Sequence, residues 1–386
     1  SNYAARTAFT SVRYNNQAIG MQLTTIGNER IKWETTTKWN AGIQTNMLDN
    51  RLSVNFDYFI HKTRNLLTLK TFSSPVSGIN KYWTNGGVLR NTGYEVAVSG
   101  KPVVCRDWNL EVGASVGHYD NKVLELPDGN YTNSVYGDNN VIVSVNNPVA
   151  MFFGYKTMGV FSTDAEARTA YTRPDGSQTY LVMKNSANQN VSFEAGDVHF
   201  CDLNGDGVIS EADKTYIGNP NPEIYGNIFA TLNWKSITLD LGFNYCLGND
   251  VYNYQRSILN SGSTFYNQQV AEIGHWRYEG QQATLPRLAY GDPMQNNRFS
   301  DRWIEDGSYL RMKYVRVNYQ LPIPESWQSW LQGISVWCEA QNVFTLTRYT
   351  GNDPEFSIGN SVMCQGIDCG NLAQGRTFLL GFKINL

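Results

Sequence analysis

The chain has 386 residues, 13% of them aromatic and only 17% charged, below the quarter usual for soluble domains. A formal net charge of -3 provides no electrostatic footprint for nucleic acid, so a nucleic-acid partner is excluded. No run of eighteen or more apolar residues occurs, which rules out a transmembrane helix. The chain opens at Ser1 with no Met, signal peptide or basic leader, as expected of a matured, truncated or cleaved chain.

Residues 3–14 predict a poorly patterned strand and 15–30 a polar loop. Alternation is clear from Trp33 onward. Trp33, Thr35, Thr37, Trp39, Ala41, Ile43, Thr45 and Met47 face one way, and Lys32, Glu34, Thr36, Lys38, Asn40, Gln44 and Asn46 the other. Asp49 and Asn50 supply a short turn. Leu52, Val54, Phe56, Tyr58 and Ile60 then oppose Ser53, Asn55, Asp57 and His61. A long loop over 70–87 follows, holding Pro75 and Gly86-Gly87. Tyr94, Val96 and Val98 oppose Glu95 and Ser99. Past a turn at 101–107, Trp108, Leu110, Val112, Ala114 and Val116 oppose Asn109, Glu111 and Ser115.

From 122 to 222 the pattern breaks into a large insertion. Within it, 149–161 predicts a strand and 163–170 a short helix with Thr163 or Asp164 at its N-cap. Two alternating runs of about ten residues follow, the length of a membrane-crossing strand. Ile224, Gly226, Ile228, Ala230, Leu232 and Trp234 form one apolar or small face. After a tight turn at 234–236, Ile237, Leu239, Leu241, Phe243, Tyr245 and Leu247 form the next, against Ser236, Thr238, Asp240, Gly242 and Asn244. A second long loop, 249–306, is rich in Asn, Tyr, Gln and Arg. The strand at 308–321 changes phase near Tyr314, which predicts a β-bulge. The turn LPIPESWQSWLQG leads to Ile334, Val336, Cys338 and Ala340. A loop over 347–374 then gives way to Phe378, Leu380, Phe382, Ile384 and Leu386.

Long loops thus alternate with short turns. Outer-membrane barrels have this rhythm because their periplasmic turns are short and their extracellular loops long. A soluble β-sandwich also alternates, but its strands average about five or six residues. The fold expected here is all-β, about ten strands of a transmembrane antiparallel barrel. Polar faces bearing Lys, Glu, Asp and Asn would line a water-filled lumen.

One loop has metal-ligand spacing. Asp202, Asn204, Asp206, the Val208 carbonyl, Ser210 and Asp213 stand at the oxygen-ligand positions of a twelve-residue calcium loop, with Gly207 at the sharp turn. Asp213 replaces the usual bidentate Glu and has a shorter reach. The competing reading is an Asx- and Gly-rich turn that needs no metal. His61, His118, His199 and His275 are isolated, so no catalytic constellation is expected; a dyad of Asp57 and Glu111 is the remote exception. Cys364 and Cys369 share a loop and fit either a disulfide or two free thiols. Tyr252, Tyr254, Tyr266, Trp276 and Tyr278 fit stacking on sugar rings, packing of the loops on one another, or packing against a lid protein.

The motifs IKWETTTKWNAGI (31–43), NTGYEVAVSG (91–100), FFGYKTMGVF (152–161), GDVHFCDLNGDGVISEADKTYIGNPNPEIYG (196–226), SDRWIEDGSYLRMKYVRVNYQLP (300–322) and EAQNVFTLTRYTGNDPE (339–355) occur in an order that resembles the C-terminal half of SusC/RagA-type TonB-dependent outer-membrane transporters. The resemblance covers nearly the whole chain. It implies a 22-stranded barrel in a Gram-negative outer membrane, with a lipid face meeting lipid and lipopolysaccharide. It also implies a plug and further strands preceding residue 1, a SusD-like lipoprotein lid, and TonB-driven import of oligosaccharides or peptides. Ten strands cannot close such a barrel, so the chain is expected to pair with an N-terminal portion. Leu386 departs from the terminal Phe usual in the family. The other function class is a surface adhesin or binding module that does not transport.

Overall fold

A computed structural model describes residues 6–14, 18–71, 81–127, 129–135, 139–185, 189–327, 330–356, 358–359 and 361–385. Nine strands form one antiparallel sheet whose spatial order is their order in sequence. They are β1 (Thr35–Met47), β2 (Leu52–Arg64), β3 (Val88–Val104), β4 (Trp108–Glu125), β5 (Ile224–Trp234), β6 (Ile237–Leu247), β7 (Tyr309–Leu321), β8 (Gly333–Thr347) and β9 (Thr377–Asn385). Strands of 9 to 18 residues suit a membrane-crossing wall rather than a sandwich.

The chain alternates between tight and elaborate connections. β1 and β2 are joined through Leu48, Asp49 and Asn50, all at positive φ. β5 and β6 are joined through Lys235, at φ 52°, and Ser236, with Trp234 paired to Ile237. Asn and Asp adopt the left-handed region at little cost, which is why the Asp49-Asn50 signal was readable. At the other end of the sheet the connections run through 65–87, 126–223, 248–308 and 348–376.

Side-chain alternation divides the wall as expected. Leu241 pairs with Ala230 and Val315 on one face, while Asp240 pairs with Thr231 and Arg316 on the other. The outward apolar side chains stay uncovered: Phe378 is 80%, Phe382 74% and Ile43 69% exposed. A contiguous apolar band on both edge strands and across the sheet is what a hydrocarbon solvent requires. On the inward face, glycines sit under aromatic rings of the neighbouring strand. A Cβ at Gly113 would come 2.4 Å from the Phe229 ring, one at Gly242 2.3 Å from Tyr314, and one at Gly381 2.5 Å from Trp337. The rings lie along the wall, over backbone that has no side chain of its own.

The predicted bulge is present. Met312 pairs with Phe243 and Tyr314 with Gly242, so Lys313 has no counterpart on β6, while on β8 both Asn342, at φ 52°, and Val343 stand opposite it. That one residue returns Leu310 and Met312 to the outward face.

Three expectations are corrected. The first predicted strand lies outside the sheet: it is Ala8–Tyr14, which pairs with Ala18–Thr25, part of the expected polar loop, and with no strand of the sheet among the described residues, leaving nine of the about ten expected. Within the 70–87 stretch, Lys81–Asn85 is a strand paired with Leu67–Thr71. The strand predicted over 149–161 is two, Met151–Gly154 and Thr157–Val160, in different small sheets. The short helix is there as α1 (Asp164–Ala167), with the Thr163 hydroxyl accepting the Glu166 amide.

The hydrophobic core lies in the long connections, not in the sheet. One cluster gathers Tyr155, Phe161, Leu181, Met183, Phe193, Val198, Phe200, Ile209 and Met294. Another gathers Val141, Phe152, Tyr252, Phe299, Trp303 and Ile367. Loops that bury this many large side chains fold as a compact cap instead of waving free.

Candidate lumenal face and loop cap

The inward face is built in cross-strand rows. One runs Asp57, Glu95, Gly117, Tyr225, Cys246 and Tyr309 across β2 to β7. The Tyr225 hydroxyl donates to Glu95 at 3.3 Å. Two rows further toward the long connections His61 stands against Asn91 and Asn121, and His61 Nε2 lies 3.2 Å from Asn40 Oδ1. A third row, toward the short turns, runs Glu111, Thr231, Asp240, Arg316 and Glu339. There Thr231 donates to Asp240 at 2.8 Å and Arg316 lies over the Trp337 ring at 4.4 Å. Two cavities, of about 550 and 560 Å³, open along this face; Asp57 and Glu95 line both. Asp57 and Glu111 do not form a dyad. Glu111 is six residues along β4 from Gly117, which aligns with Glu95, so about 20 Å separates them at strand rise.

The loop after β8 folds back onto the wall. Arg311, buried on β7, donates to Asp353 and stands 3.4 Å from Glu355, while Lys313 reaches Glu355 at 3.3 Å. Asp353 also accepts the amides of Glu355 and Gln374, each at 2.9 Å. Burial opposes its charge, but those amides and the guanidinium outweigh it and hold its carboxyl below the ordinary value. Tyr349 in the same loop donates to buried Asp368 at 2.5 Å. The sequence pointed to none of these pairs; the only trace was the NDPE run within the last family motif.

Arg287 stitches the two large cap segments together, meeting Asp197 at 2.9 Å and Glu194 at 2.7 Å. Asp197 is fully buried and also accepts from Asn296. His199 stacks on Phe161 at 4.2 Å, and its burial lowers its pKa. The aromatic candidates divide. Tyr252 lies in the second core, Tyr254 packs against it, and the Trp276 indole donates to the Ser162 carbonyl. Tyr266 and Tyr278 point outward. Cys364 ends a short turn, and Cys369 packs against the second core.

The 202–213 loop lies in the cap. Its side-chain oxygens are turned onto its own backbone. Asp202 accepts the amides of Gly205 and Gly207 at 2.7 Å, Asn204 that of Asp206, and Asp206 that of Val208. Gly205 and Gly207 take φ 77° and 75°, conformations this winding requires. Val208 enters a short parallel pairing with Val182. Asp213 is fully buried, accepting from the amides of Leu203, Asn204 and Ser210 and from the Ser210 hydroxyl. Four acceptances occupy a carboxylate's lone pairs, so Asp213 fits a capping box rather than a metal ligand in this arrangement. Among the described residues no group of three or more His, Cys, Asp or Glu side chains is arranged to hold a metal. Asp202, Asn204, Asp206 and Ser210 fit a hard cation in donor type; Asp213 does not fit as it stands.

A profile of the family described as TonB dependent receptor-like, beta-barrel matches residues 3–190. The TonB-dependent receptor P3 of Formosa agariphila is 29% identical over 401 residues, covering 100% of this chain and 38% of its own length. The chain is similar to TonB-dependent receptors along its whole length. SusC of Bacteroides thetaiotaomicron is 24% identical over 369 residues, covering 92% of the chain and 32% of that protein. Among solved structures, the RagAB peptide transporter superposes with a TM-score of 0.76 at 22% identity, covering 99% of the chain and 39% of its counterpart, which establishes a shared fold. The chain therefore spans well under half the length of the relatives it matches. TonB-dependent receptors are outer-membrane proteins of Gram-negative bacteria and are not enzymes; the apolar outer face of this chain is in keeping with that location.

Proposed function

We propose that the chain forms part of the wall and the extracellular cap of a transporter importing oligosaccharides or peptides across the outer membrane, driven by TonB and covered by a SusD-like lipoprotein. The observation carrying this reading is the split wall: an uncovered apolar face on one side, and on the other a row of Asp, Glu, Tyr and Asn side chains opening into two cavities beneath folded loops. In this reading the remaining barrel strands and the plug belong to the rest of the transporter, as does the TonB-engaging segment. The alternative, a surface-binding module without transport, shares the cap but has no use for the lipid-exposed band. Uptake by cells expressing the full transporter separates them: TonB-dependent accumulation of a glycan or peptide supports import, and capture at the surface that is indifferent to TonB supports the alternative.

We also propose calcium as a structural ion of the 202–213 loop, held by Asp202, Asn204, Asp206, the Val208 carbonyl and Ser210, with Asp213 turning from its capping role to join them. Ligand chemistry and spacing support this, as does the gathering of acidic groups. The Tyr171 phenol has a raised pKa, from desolvation first and then from the negative charge of Asp202, Asp206 and Asp213 around it.

A further inference from the structure

The register sets three cations side by side on the outward face. Lys62 on β2 is the direct cross-strand partner of Arg90 on β3, and Arg90 of Lys122 on β4. Successive side chains of a strand alternate between faces. The neighbours His61, Asn91 and Asn121 line an inward cavity, so these three turn the other way. Direct partners have Cβ atoms about 5 Å apart, and like charges placed there destabilise a sheet. All three are half-buried. Among the described residues none of them forms an ion pair; the cations paired on the wall are Lys101, Arg311, Lys313 and Arg316. The adjacent rows hold one carboxylate each, Asp120 beside Thr92, and Glu125 beside Val88 with Arg64 on its other side. Arg64 balances Glu125, so the patch keeps a positive excess.

The same face is graded along its strands. Toward the short turns it is apolar, with Val54, Val98 and Ala114 in one row and Phe56, Val96 and Val116 in the next. Tyr58, Tyr94 and His118 follow. Trp39 meets the Tyr58 ring at 6.0 Å, and Tyr94 meets the His118 ring at 5.5 Å. The cations come two rows later, about 13 Å along the strands and less in depth, because barrel strands tilt. Aromatic belts mark the boundary between hydrocarbon and headgroups, so the cations stand at headgroup level. The row is confined to this part of the wall. Across β6, β7 and β8 the outermost outward row is Tyr245, Leu310 and Leu346.

We propose that Lys62, Arg90 and Lys122 form a site on the outward wall for the phosphate of a lipid headgroup in the outer leaflet. Charge and continuity single out that occupant: the row is positive, and it borders an uncovered apolar face turned to lipid. The planar guanidinium at the centre grips two phosphate oxygens, and the ammonium on either side neutralises the remaining charge. A bound phosphate thereby turns three mutually repelling groups into a bridge across β2, β3 and β4. A second copy of the chain is a poorer occupant, because a two-fold contact through this row sets cation against cation. The site needs only the membrane wall and is indifferent to the cargo.

The full transporter, purified in detergent and stripped of lipid, is titrated at low ionic strength with three probes. They are bisphosphorylated lipid A, the same lipid with both phosphates removed, and inorganic phosphate. The wild type is expected to hold the phosphorylated lipid about tenfold more tightly than the dephosphorylated one, the difference shrinking as salt rises. K62Q/R90Q/K122Q is expected to lose that difference while binding the dephosphorylated lipid as before, since the apolar rows are untouched. K62R/R90K/K122R keeps the charge and is expected to keep most of the preference. Heat-modifiable migration on gels verifies assembly, and R90Q alone provides an intermediate preference should the triple variant not assemble. Equal binding of the two lipids by the wild type, or a preference unchanged in the glutamine variants, overturns the proposal. Displacement of the phosphorylated lipid by an equal concentration of inorganic phosphate overturns it too, for then the row takes a free anion. So does a glutamine variant that changes oligomeric state with its lipid preference intact, which assigns the row to a contact between copies.

Discussion

Arg311, buried on the inward face of β7, bonds Asp353 in the loop that follows β8, 42 residues further along the chain. A strand side chain thereby fixes the fold of a loop that would otherwise leave the wall. Breaking a buried pair by removing one partner typically costs about 3–5 kcal/mol, because the other charge is left uncompensated. Arg311→Ala is therefore expected to release the 348–376 segment, seen as faster amide exchange there with the β1–β6 wall unchanged. Exchange that remains at the wild-type level would show that Tyr349 and Asp368 hold the loop unaided.

The same anchor has a pH dependence of definite sign. The Asp353 carboxyl titrates below its ordinary value in the folded loop. Its contribution is thus fully present above the unfolded carboxylate value, about 3.9, and is lost as pH falls through the lower folded one. Protease cutting within 348–376 should stay flat from neutrality to about pH 4 and rise only below it. In D353N that rise should vanish, with fast cutting at every pH.

The wall register makes a sharper test. Leu241 faces outward between Ala230 and Val315, so Leu241→Arg near mid-membrane should cost about 2–4 kcal/mol of folding stability. Asp240, one residue earlier, faces the lumen and bonds Thr231, so Asp240→Asn should change stability far less. Urea titration of refolding into vesicles measures both; the opposite order would put the strand one residue out of register.

Gly113 and Phe229 test the inner face. A valine at 113 would drive its Cβ into the Phe229 ring, overpacking that costs about 1–3 kcal/mol. Phe229→Ala should relieve most of this loss in the double variant, and a strictly additive pair would mean that the ring can swing clear without cost.

What the sequence disclosed follows from the range of each interaction. Period-two alternation is local, so β1, β2 and the β5–β6 hairpin were readable, as was the phase slip that marks the Lys313 bulge. Turn chemistry is equally local, which made Asp49 and Asn50 legible. The cap was not: its strands of two to five residues are too short to show a period, and its cores join Phe161 to Met294 and Val141 to Ile367 across more than a hundred residues. The pairing of Ala8–Tyr14 with its own neighbour was hidden because a lone alternating strand does not reveal its partner. The Asp57–Glu95 juxtaposition was hidden likewise: both residues had been read as inward-facing, but their register depends on the loop between them.

The 202–213 loop supports the final prediction. In the structure Asp202, Asn204 and Asp206 accept loop amides and Asp213 is spent on a capping box, so the loop's own N–H groups engage these oxygens. Calcium must compete for oxygens already engaged, and the gain comes from offsetting three carboxylates crowded around Tyr171. Millimolar calcium is then expected to slow protease cutting between 196 and 222 several-fold, and a chelator to reverse it. The D202A/D206A variant should cut fast at any calcium level while the barrel still assembles, since among the described residues no strand of the wall pairs with this loop. Cutting that ignores calcium in the wild type, together with a structure solved at millimolar calcium that shows only water among Asp202, Asn204, Asp206 and Ser210, would leave the amide-satisfied turn as the whole account. In that case the double variant should still loosen the segment, because Gly205 and Gly207 lose the carboxylate that holds them at positive φ.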